Sequence, residues 1–256
     1  MIAPPFGGFL IDTFGWRSVF AFALLTGIAI LGVAYTVIEE THRPRSTGPF
    51  VNPLRSYVAL LSQRRFSAFV LQSGFQSGAF FAMASASPFL TTEYLGRSAS
   101  EYGLYFLFFP VGYCSGNWVS SRLSGRVGIE TMVLAGSLLF VATVIGQASF
   151  ILLSDLTPLM IFIPGFLISF GQGLALPNAQ AGAIRVAPSL AGTAAGIGAF
   201  LQAICGAAFS QLYGFLADGT PYPMIWTVSA STLLAFSAGL YVYATRERPA
   251  NALHNT

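Results

Sequence analysis

The chain has 256 residues, of which 8% are charged and 54% are hydrophobic. An ordinary soluble domain carries about 25% charged residues, so these charges are too few to cover the surface of a water-soluble globule of this size. The composition therefore excludes soluble enzymes, nucleic-acid-binding proteins and disordered tails, and it predicts an integral membrane protein.

Runs free of Asp, Glu, Lys and Arg mark the candidate membrane-spanning helices, because a charge at the centre of such a helix costs about 2.5–3.5 kcal/mol. A helix needs about 20 residues to cross the hydrocarbon core of a bilayer. In chain order, the runs of this length are 18–38, 66–92, 102–121, 131–154, 156–184, 186–217 and 219–245. An apolar run over 1–11 is too short to cross and predicts the end of a further helix. We therefore predict an all-α fold with seven full transmembrane helices plus the end of an eighth at the N-terminus.

The arginines predict the orientation of these spans. If the span 18–38 runs from outside to inside, only Arg17 and Arg97 lie on outer connections. The other ten of the 12 basic residues then lie on the inner side: Arg43, Arg45, Arg55, Arg64, Arg65, Arg122, Arg126, Arg185, Arg246 and Arg248. Basic residues are enriched in cytoplasmic loops, so we predict a cytoplasmic C-terminus.

The longest polar connection predicts how the chain is divided. The predicted parts are the end of an N-terminal bundle over 1–38, a cytoplasmic linker over 39–65, a six-helix bundle over 66–245 and a cytoplasmic tail over 246–256. Within the linker, Leu54, Tyr57, Val58 and Leu61 recur at helical spacing. This pattern predicts a short amphipathic helix on the inner membrane surface, and a solvated linker is the alternative.

The six-helix block resembles two copies of one three-helix unit. Gly74 and Gly78 precede Pro88 in the first helix of one triplet, and Gly173 precedes Pro177 in the first helix of the other. Inverted three-helix repeats with Gly- and Pro-interrupted helices are typical of secondary transporters.

The predicted spans hold no carboxylate and no histidine, so an enzyme would lack its acid–base pair and no metal site is expected. The chain has no lysine for a retinal Schiff base, which argues against a light-driven seven-helix protein.

Several short segments carry a resemblance to a known family. They are Ala3-Pro4-Pro5-Phe6-Gly7-Gly8, Phe14-Gly15-Trp16-Arg17, Ser87-Pro88-Phe89, Pro177-Asn178-Ala179, Ala191-Gly192-Thr193-Ala194-Ala195-Gly196 with Gln202, and Asp218-Gly219-Thr220. Together they resemble the end of the fifth helix through the twelfth helix of the major facilitator superfamily, and in particular the bicyclomycin/chloramphenicol resistance (Bcr/CflA) branch of its drug:proton antiporters. The resemblance implies a partial major facilitator fold that lacks most of the N-terminal helices.

The resemblance also implies residues for gating and for antiport. Pro4, Pro5, Gly7 and Gly8 correspond to the end of the antiporter motif, where they would form a kinked, closely packed pivot. Arg122 and Arg126 lie in a segment that resembles the gating loop of the family. Ser120 and Ser121 stand where an Asp is usual, so the charge relay attached to that Asp is not carried over.

The strongest candidate substrate site is one face of the span 66–92. Gln72, Gln76, Phe80 and Met83 lie on this face, together with Ala79 and Ser87. Glutamines are costly against lipid, so we expect the face to line a cavity or to form hydrogen bonds between helices. An amide, an aromatic ring and a flexible thioether suit a weakly specified apolar compound. Further candidate substrate-binding residues are Asn117, Gln172 and Gln202.

By resemblance, the expected function is efflux of drugs and other xenobiotics across a bacterial inner membrane by drug:proton antiport. The implied partners are a small amphipathic substrate, the lipid bilayer and the missing N-terminal helices, with no nucleic acid. The proton gradient is the expected energy source, and no cofactor is expected. No predicted span holds a carboxylate or a histidine, so we expect the proton carrier in the missing part and no transport by this chain alone. The alternatives are an exporter of a small metabolite, such as an amino acid or nucleobase, and a non-transporting membrane remnant.

Overall fold

The computed structural model describes residues 10, 13–37, 53–154 and 156–246. The main helices in these ranges are α1 (Arg17–Val37), α2 (Pro53–Leu61), α3 (Arg64–Phe89), α4 (Ala99–Phe106), α5 (Phe108–Leu123), α6 (Ile129–Leu153), α7 (Pro158–Val186), α8 (Ala191–Leu216) and α9 (Tyr222–Ala244). The described ranges contain no extended strand, and only an isolated bridge joins Ser124 and Val127. The predicted all-α fold is therefore confirmed.

The chain divides into two units between residues 52 and 53. In the first unit, α1 follows Gly15, whose φ of +79° favours glycine. The Ser18 hydroxyl donates a hydrogen bond of 2.7 Å to the Gly15 carbonyl and so holds the start of the helix. None of the residues of α1 is buried. The second unit holds α2 to α9.

Helix α2 lies inside the predicted linker. Leu60 is fully buried, whereas Tyr57, Val58 and Leu61 are exposed. The buried Leu60 belongs to a hydrophobic cluster with Phe66 at the start of α3. Helix α2 thus packs through Leu60 and exposes an apolar face, and the contact of that face with a membrane surface stays a prediction.

Five helical segments among the described residues are long and apolar enough to cross a membrane: α1, α6, α7, α8 with the 3₁₀ turn before it, and α9. The other two predicted spans are also helical. Helix α3 continues through a π-helical turn over Leu90–Tyr94, and buried glutamines and serines make its sequence less apolar.

The predicted span 102–121 is not one continuous helix, because α4 ends at Phe106 and α5 begins at Phe108. Pro110 explains the break. Its ring has no N–H to bond the Phe106 carbonyl four residues earlier, and it would clash with that carbonyl in a straight helix.

The two helix triplets exchange partners. Helix α3, the first of one triplet, packs most extensively on α8 and α9 of the other. Helix α7, the first of the second triplet, packs in the same way on α5 and α6 of the first. Helices α3 and α7 also contact each other, as do α6 and α9, so the arrangement has the pattern of a two-fold repeat.

Glycines let the triplets come close. A Cβ atom on Gly112 or Gly116 of α5 would collide with the carbonyl oxygen of Phe166 or Phe170 on α7. At the related contact, a Cβ atom on Gly74 of α3 would lie 3.2 Å from the Leu201 carbonyl oxygen of α8. Small residues permit such backbone contacts between helices that lipid surrounds.

Side chains replace the backbone hydrogen bonds that prolines remove. Pro164 in α7 cannot donate to the Met160 carbonyl, and the Gln147 amide of α6 donates to that oxygen at 3.2 Å. Pro88 in α3 likewise leaves the Ala84 carbonyl free, and the Ser87 hydroxyl donates to it at 3.1 Å. These bonds keep both interrupted helices continuous.

Candidate functional site

A belt of buried polar side chains crosses the six-helix bundle between two apolar clusters. Met83, Phe109 and Phe162 belong to one cluster, and Phe66 and Val133 belong to the other. Between them lie the residues that we call the polar belt: Gln72, Gln76, Ser137, Ser169, Gln172, Ser231 and Thr232. Each of these side chains is buried, so the belt is held inside protein and away from lipid.

Two glutamines of α3 form the centre of the polar belt. The Gln72 side-chain amide donates to the Gln76 side-chain oxygen at 3.0 Å and to the Ser137 hydroxyl of α6 at 3.1 Å. The Gln76 amide donates to the Gly171 carbonyl of α7 at 3.4 Å. Both side chains are fully buried. The sequence allowed two roles for these glutamines, as the lining of a cavity or as partners in hydrogen bonds between helices. In this conformation they form hydrogen bonds between helices.

The polar belt retains unused hydrogen-bonding atoms. Among the described residues, Gln72 Oε1, Ser169 Oγ and Thr232 Oγ1 are buried without a partner. An unpaired buried polar atom costs about 1–3 kcal/mol, so these atoms favour any rearrangement or molecule that would bond to them. The belt therefore has the chemical capacity to exchange hydrogen-bond partners when the helices move.

The apolar end of the predicted face enters an aromatic cluster. Met83 is fully buried. Phe80 is partly buried and packs edge-to-face on Phe109, with the ring centroids 5.8 Å apart. Phe109 in turn packs on Phe162 of α7 at 6.0 Å. Phe80 and Met83 thus join α3 to α5 and α7.

The other candidate residues, Asn117, Gln172 and Gln202, form no side-chain hydrogen bond with Gln72 or Gln76 in the described part of the chain. Gln172 belongs to the polar belt and adjoins Gly171, which accepts the bond from Gln76. The Asn117 amide bonds the Tyr113 carbonyl of its own helix at 2.9 Å. Gln202 lies on α8 with a buried amide nitrogen that has no acceptor among the described residues. Their roles in substrate binding stay predictions.

The opposite face of α3 is a feature that the sequence analysis did not select. Leu71, Phe81 and Ser85 on this face are exposed. The Ser85 hydroxyl lies 2.7 Å from the Ser210 hydroxyl of α8. Two further apolar rings, Phe75 and Phe209, meet edge-to-face nearby between the same two helices. In the sequence, this face is marked by a mixed stripe of serine and phenylalanine.

The segment predicted as a gating loop connects α5 to α6. Gly125 has a φ of +88°, which explains a glycine at this turn. The guanidinium of Arg122 stacks on Trp118 at 5.1 Å, and Arg126 is exposed. Ser120 lies in the region where the resemblance implies an Asp, and its hydroxyl accepts a hydrogen bond of 2.7 Å from the Asn178 amide of α7. A neutral contact thus occupies this position.

The candidate pivot residues Pro4, Pro5, Gly7 and Gly8 lie outside the described residues.

An ion pair between two helix starts was not predicted from the sequence. Arg65 at the start of α3 forms an ion pair with Glu130 at the start of α6, with 2.5 Å between the charged atoms. Their placement on the same predicted membrane side was a usable signal.

The described residues contain no group of three or more His, Cys, Asp or Glu side chains that could hold a metal ion. Their chemistry is that of amides, hydroxyls and aromatic rings. Such groups bind a molecule by shape and hydrogen bonding.

The exchanged triplets are the architecture of a secondary transporter half. The sequence model of the Major Facilitator Superfamily matches residues 1–210. The chain belongs to this superfamily of membrane transporters.

Two relatives of the chain are named for resistance to drugs. The chain is 24% identical over 244 residues to the bicyclomycin resistance protein homolog of Haemophilus influenzae, covering 93% of this chain and 60% of that protein. It is 25% identical over 223 residues to multidrug resistance protein D of Escherichia coli K12, covering 84% of this chain and 54% of that protein. These relatives confirm the predicted resemblance to the Bcr/CflA branch. The chain spans 54–60% of their length.

A solved structure shows the same fold. It is the crystal structure of a bacterial homolog of the human lysosomal transporter Spinster, in an inward-facing and unoccupied conformation. The TM-score is 0.54 at 15% identity, over 98% of this chain and 67% of that chain. The protein is therefore a membrane-embedded bacterial protein with a partial major facilitator fold.

Proposed function

We propose that the chain is part of a drug:proton antiporter that exports small amphipathic compounds across the bacterial inner membrane, and that residues 66–245 form the C-terminal half of this transporter. The observation that carries the proposal is the exchange of partners between two helix triplets around a buried polar belt. The names of the relatives point to bicyclomycin and other drugs as the class of substrate. Lipid is the solvent of the exposed apolar faces, and the C-terminus lies in the cytoplasm.

The substrate binds where the polar belt and the aromatic cluster adjoin. Amide groups come from four glutamines: Gln72, Gln76, Gln172 and Gln202. Phe80 and Met83 supply adaptable apolar contacts, and Asn117 of α5 supplies a further amide. In the described conformation several of these groups bond to other helices, so binding requires a helix shift that frees them. Rocking of one transporter half against the other provides such a shift.

The energy source in this proposal is the proton gradient, and no cofactor takes part. The described interiors of the membrane-spanning helices α1, α3 and α5 to α9 contain no carboxylate or histidine, so in this proposal the proton-carrying group belongs to N-terminal helices that complete the transporter. Alternating access needs both halves, and the chain alone is expected to insert without transporting.

An accumulation assay tests this function. The chain, and the same chain joined to the N-terminal helices of its Haemophilus influenzae relative, are expressed in bacteria that lack their main efflux pumps. The joined protein should lower accumulation of bicyclomycin or a fluorescent cationic dye, and a protonophore should abolish the effect. Export of amino acids or nucleobases without any drug effect would instead support the metabolite exporter. Transport by neither protein, despite correct insertion, would contradict the proposal.

A further inference from the structure

A cavity of about 520 Å³ lies at the end of the bundle where α3 and α6 begin and α7 ends. The arginine distribution predicts this end to be cytoplasmic. Arg65, Glu130 and Arg185 supply its charged wall, and Phe69, Ile129 and Val186 supply its apolar wall. The transport site proposed above lies deeper in the bundle, so this cavity is a separate feature.

The cavity carries a positive charge that the described residues do not neutralise. Arg65 is paired with Glu130, and its guanidinium also donates to the Thr245 carbonyl at 3.0 Å. Arg185 is exposed, and no acidic side chain in the described ranges forms an ion pair with it. One guanidinium is thus held in place, and the other is available to an anion.

Helix ends add to this positive potential. Helices α3 and α6 both begin at the cavity, and neither N-cap residue, Gln63 or Gly128, supplies a capping side chain. The first N–H groups of each helix carry a partial positive charge. Arg185 lies in the last turn of α7 and offsets the opposite charge of that helix end. The potential at the cavity therefore favours an anion.

We propose that this cavity binds a phosphate group. Guanidinium groups match phosphate oxygens in charge and geometry, and arginine is over-represented where such anions are recognised. Basic pockets between transmembrane helices on the cytoplasmic side bind the headgroups of anionic lipids. The apolar wall suits the glycerol and first methylene groups of a phospholipid, but a free phosphate presents the same chemistry to the arginines.

The test measures the unfolding temperature of the full chain in phosphatidylcholine nanodiscs. One series adds phosphatidylglycerol to the bilayer, and a second series adds inorganic phosphate to the buffer. Arg185→Gln removes the available charge without breaking the pair of Arg65 with Glu130. Arg246→Gln is the matched control, because its guanidinium stacks on Tyr243 at 3.7 Å and does not line the cavity.

The expected result is a rise in unfolding temperature that saturates with ligand, with about tenfold weaker binding in Arg185→Gln because a charge-assisted hydrogen bond is lost. The Arg246→Gln control should bind as the parent does. A response to phosphatidylglycerol alone identifies a lipid headgroup, and a response to inorganic phosphate identifies a free anion. Val186→Trp, which fills the cavity without changing its charge, should abolish either response. Equal responses in all variants, or none in the parent, would overturn the proposal.

Discussion

Gln76 is the residue at which packing and substrate binding can be separated. Its amide bonds the Gly171 carbonyl, and its side-chain oxygen accepts from Gln72. We expect Gln76→Leu to weaken drug efflux by the complete transporter several-fold, since each lost bond is worth about 0.5–1.5 kcal/mol.

Efflux and unfolding temperature must be measured together for this variant. A loss of efflux with normal insertion and stability supports a role in binding. Unchanged efflux across a panel of compounds would remove Gln76 from the site. Gln63→Leu, at an exposed position before α3, is the control for a general effect of removing a glutamine.

Asp218 predicts a pH effect outside the membrane-spanning helices. The Thr220 hydroxyl donates to the Asp218 carboxylate at 2.6 Å, and the Thr220 N–H donates to it at 2.9 Å. These bonds lower the pKa of Asp218. These hydrogen bonds favour the ionised carboxylate. Their contribution to the stability of the fold is therefore present above the usual pKa of an aspartate and is lost as the pH falls through the lowered pKa of Asp218.

We expect Thr220→Val to raise the pKa of Asp218 toward its usual value. Thr220→Ser keeps the hydroxyl and should leave the pKa low. The chain has three aspartates, so selective ¹³C labelling followed through a pH titration gives a signal that can be assigned. Identical titrations of the parent and of Thr220→Val would show that the hydroxyl has no such influence.

At the scale of helices, the contact between α5 and α7 depends on Gly116. A Cβ atom there would meet the Phe170 carbonyl, which is backbone and cannot turn away. We expect Gly116→Ala to lower the stability in detergent by about 1–3 kcal/mol, as overpacking does elsewhere. Gly146→Ala on α6 adds the same methyl group in open space and should not lower the unfolding temperature. Equal effects of the two changes would contradict the close contact.

Pro164 in α7 and the side chain of Gln147 that compensates for it give a second test at the scale of helices. Gln147→Leu should leave the Met160 carbonyl without a donor, at a cost of about 1–3 kcal/mol in unfolding free energy. Pro164→Ala restores a backbone N–H to that carbonyl, so the double variant should recover part of the loss. The measurement is a double-mutant cycle of unfolding free energies. Strictly additive effects would show that Gln147 does not compensate for Pro164.

These helices show what the sequence could predict. Long uncharged runs locate the helices because charge in hydrocarbon is costly, and the bounds agree to within a few residues except at α4 and α5. There Pro110 interrupts the helix. A search for uncharged runs does not detect this break, because proline carries no charge. The spacing of Gln72 and Gln76 predicts a shared face, but not its partners, because Ser137 lies on a helix far along the chain. Burial against α6 and α7 is decided by tertiary packing.

At the scale of the whole molecule, the arginine bias predicts the membrane orientation. In a chain whose native cysteines are replaced by alanine, Ser46→Cys in the linker should react with a membrane-impermeant thiol reagent only after the cells are opened. Arg97→Cys, on a predicted outer connection, should react in intact cells. Labelling of Ser46→Cys in intact cells would reverse the predicted topology.

The exchange of partners between the triplets has a consequence for synthesis of the protein. Ser231 of α9 donates to the Phe75 carbonyl of α3, and Gly239 of α9 lies beside Gln72. Helix α3 leaves the ribosome before these partners, because 156 residues separate Phe75 from Ser231. The polar side of α3 must therefore stay shielded from lipid tails at the insertion machinery until α9 has been synthesised. A ribosome stalled before α9 would leave that side open to quality-control proteases.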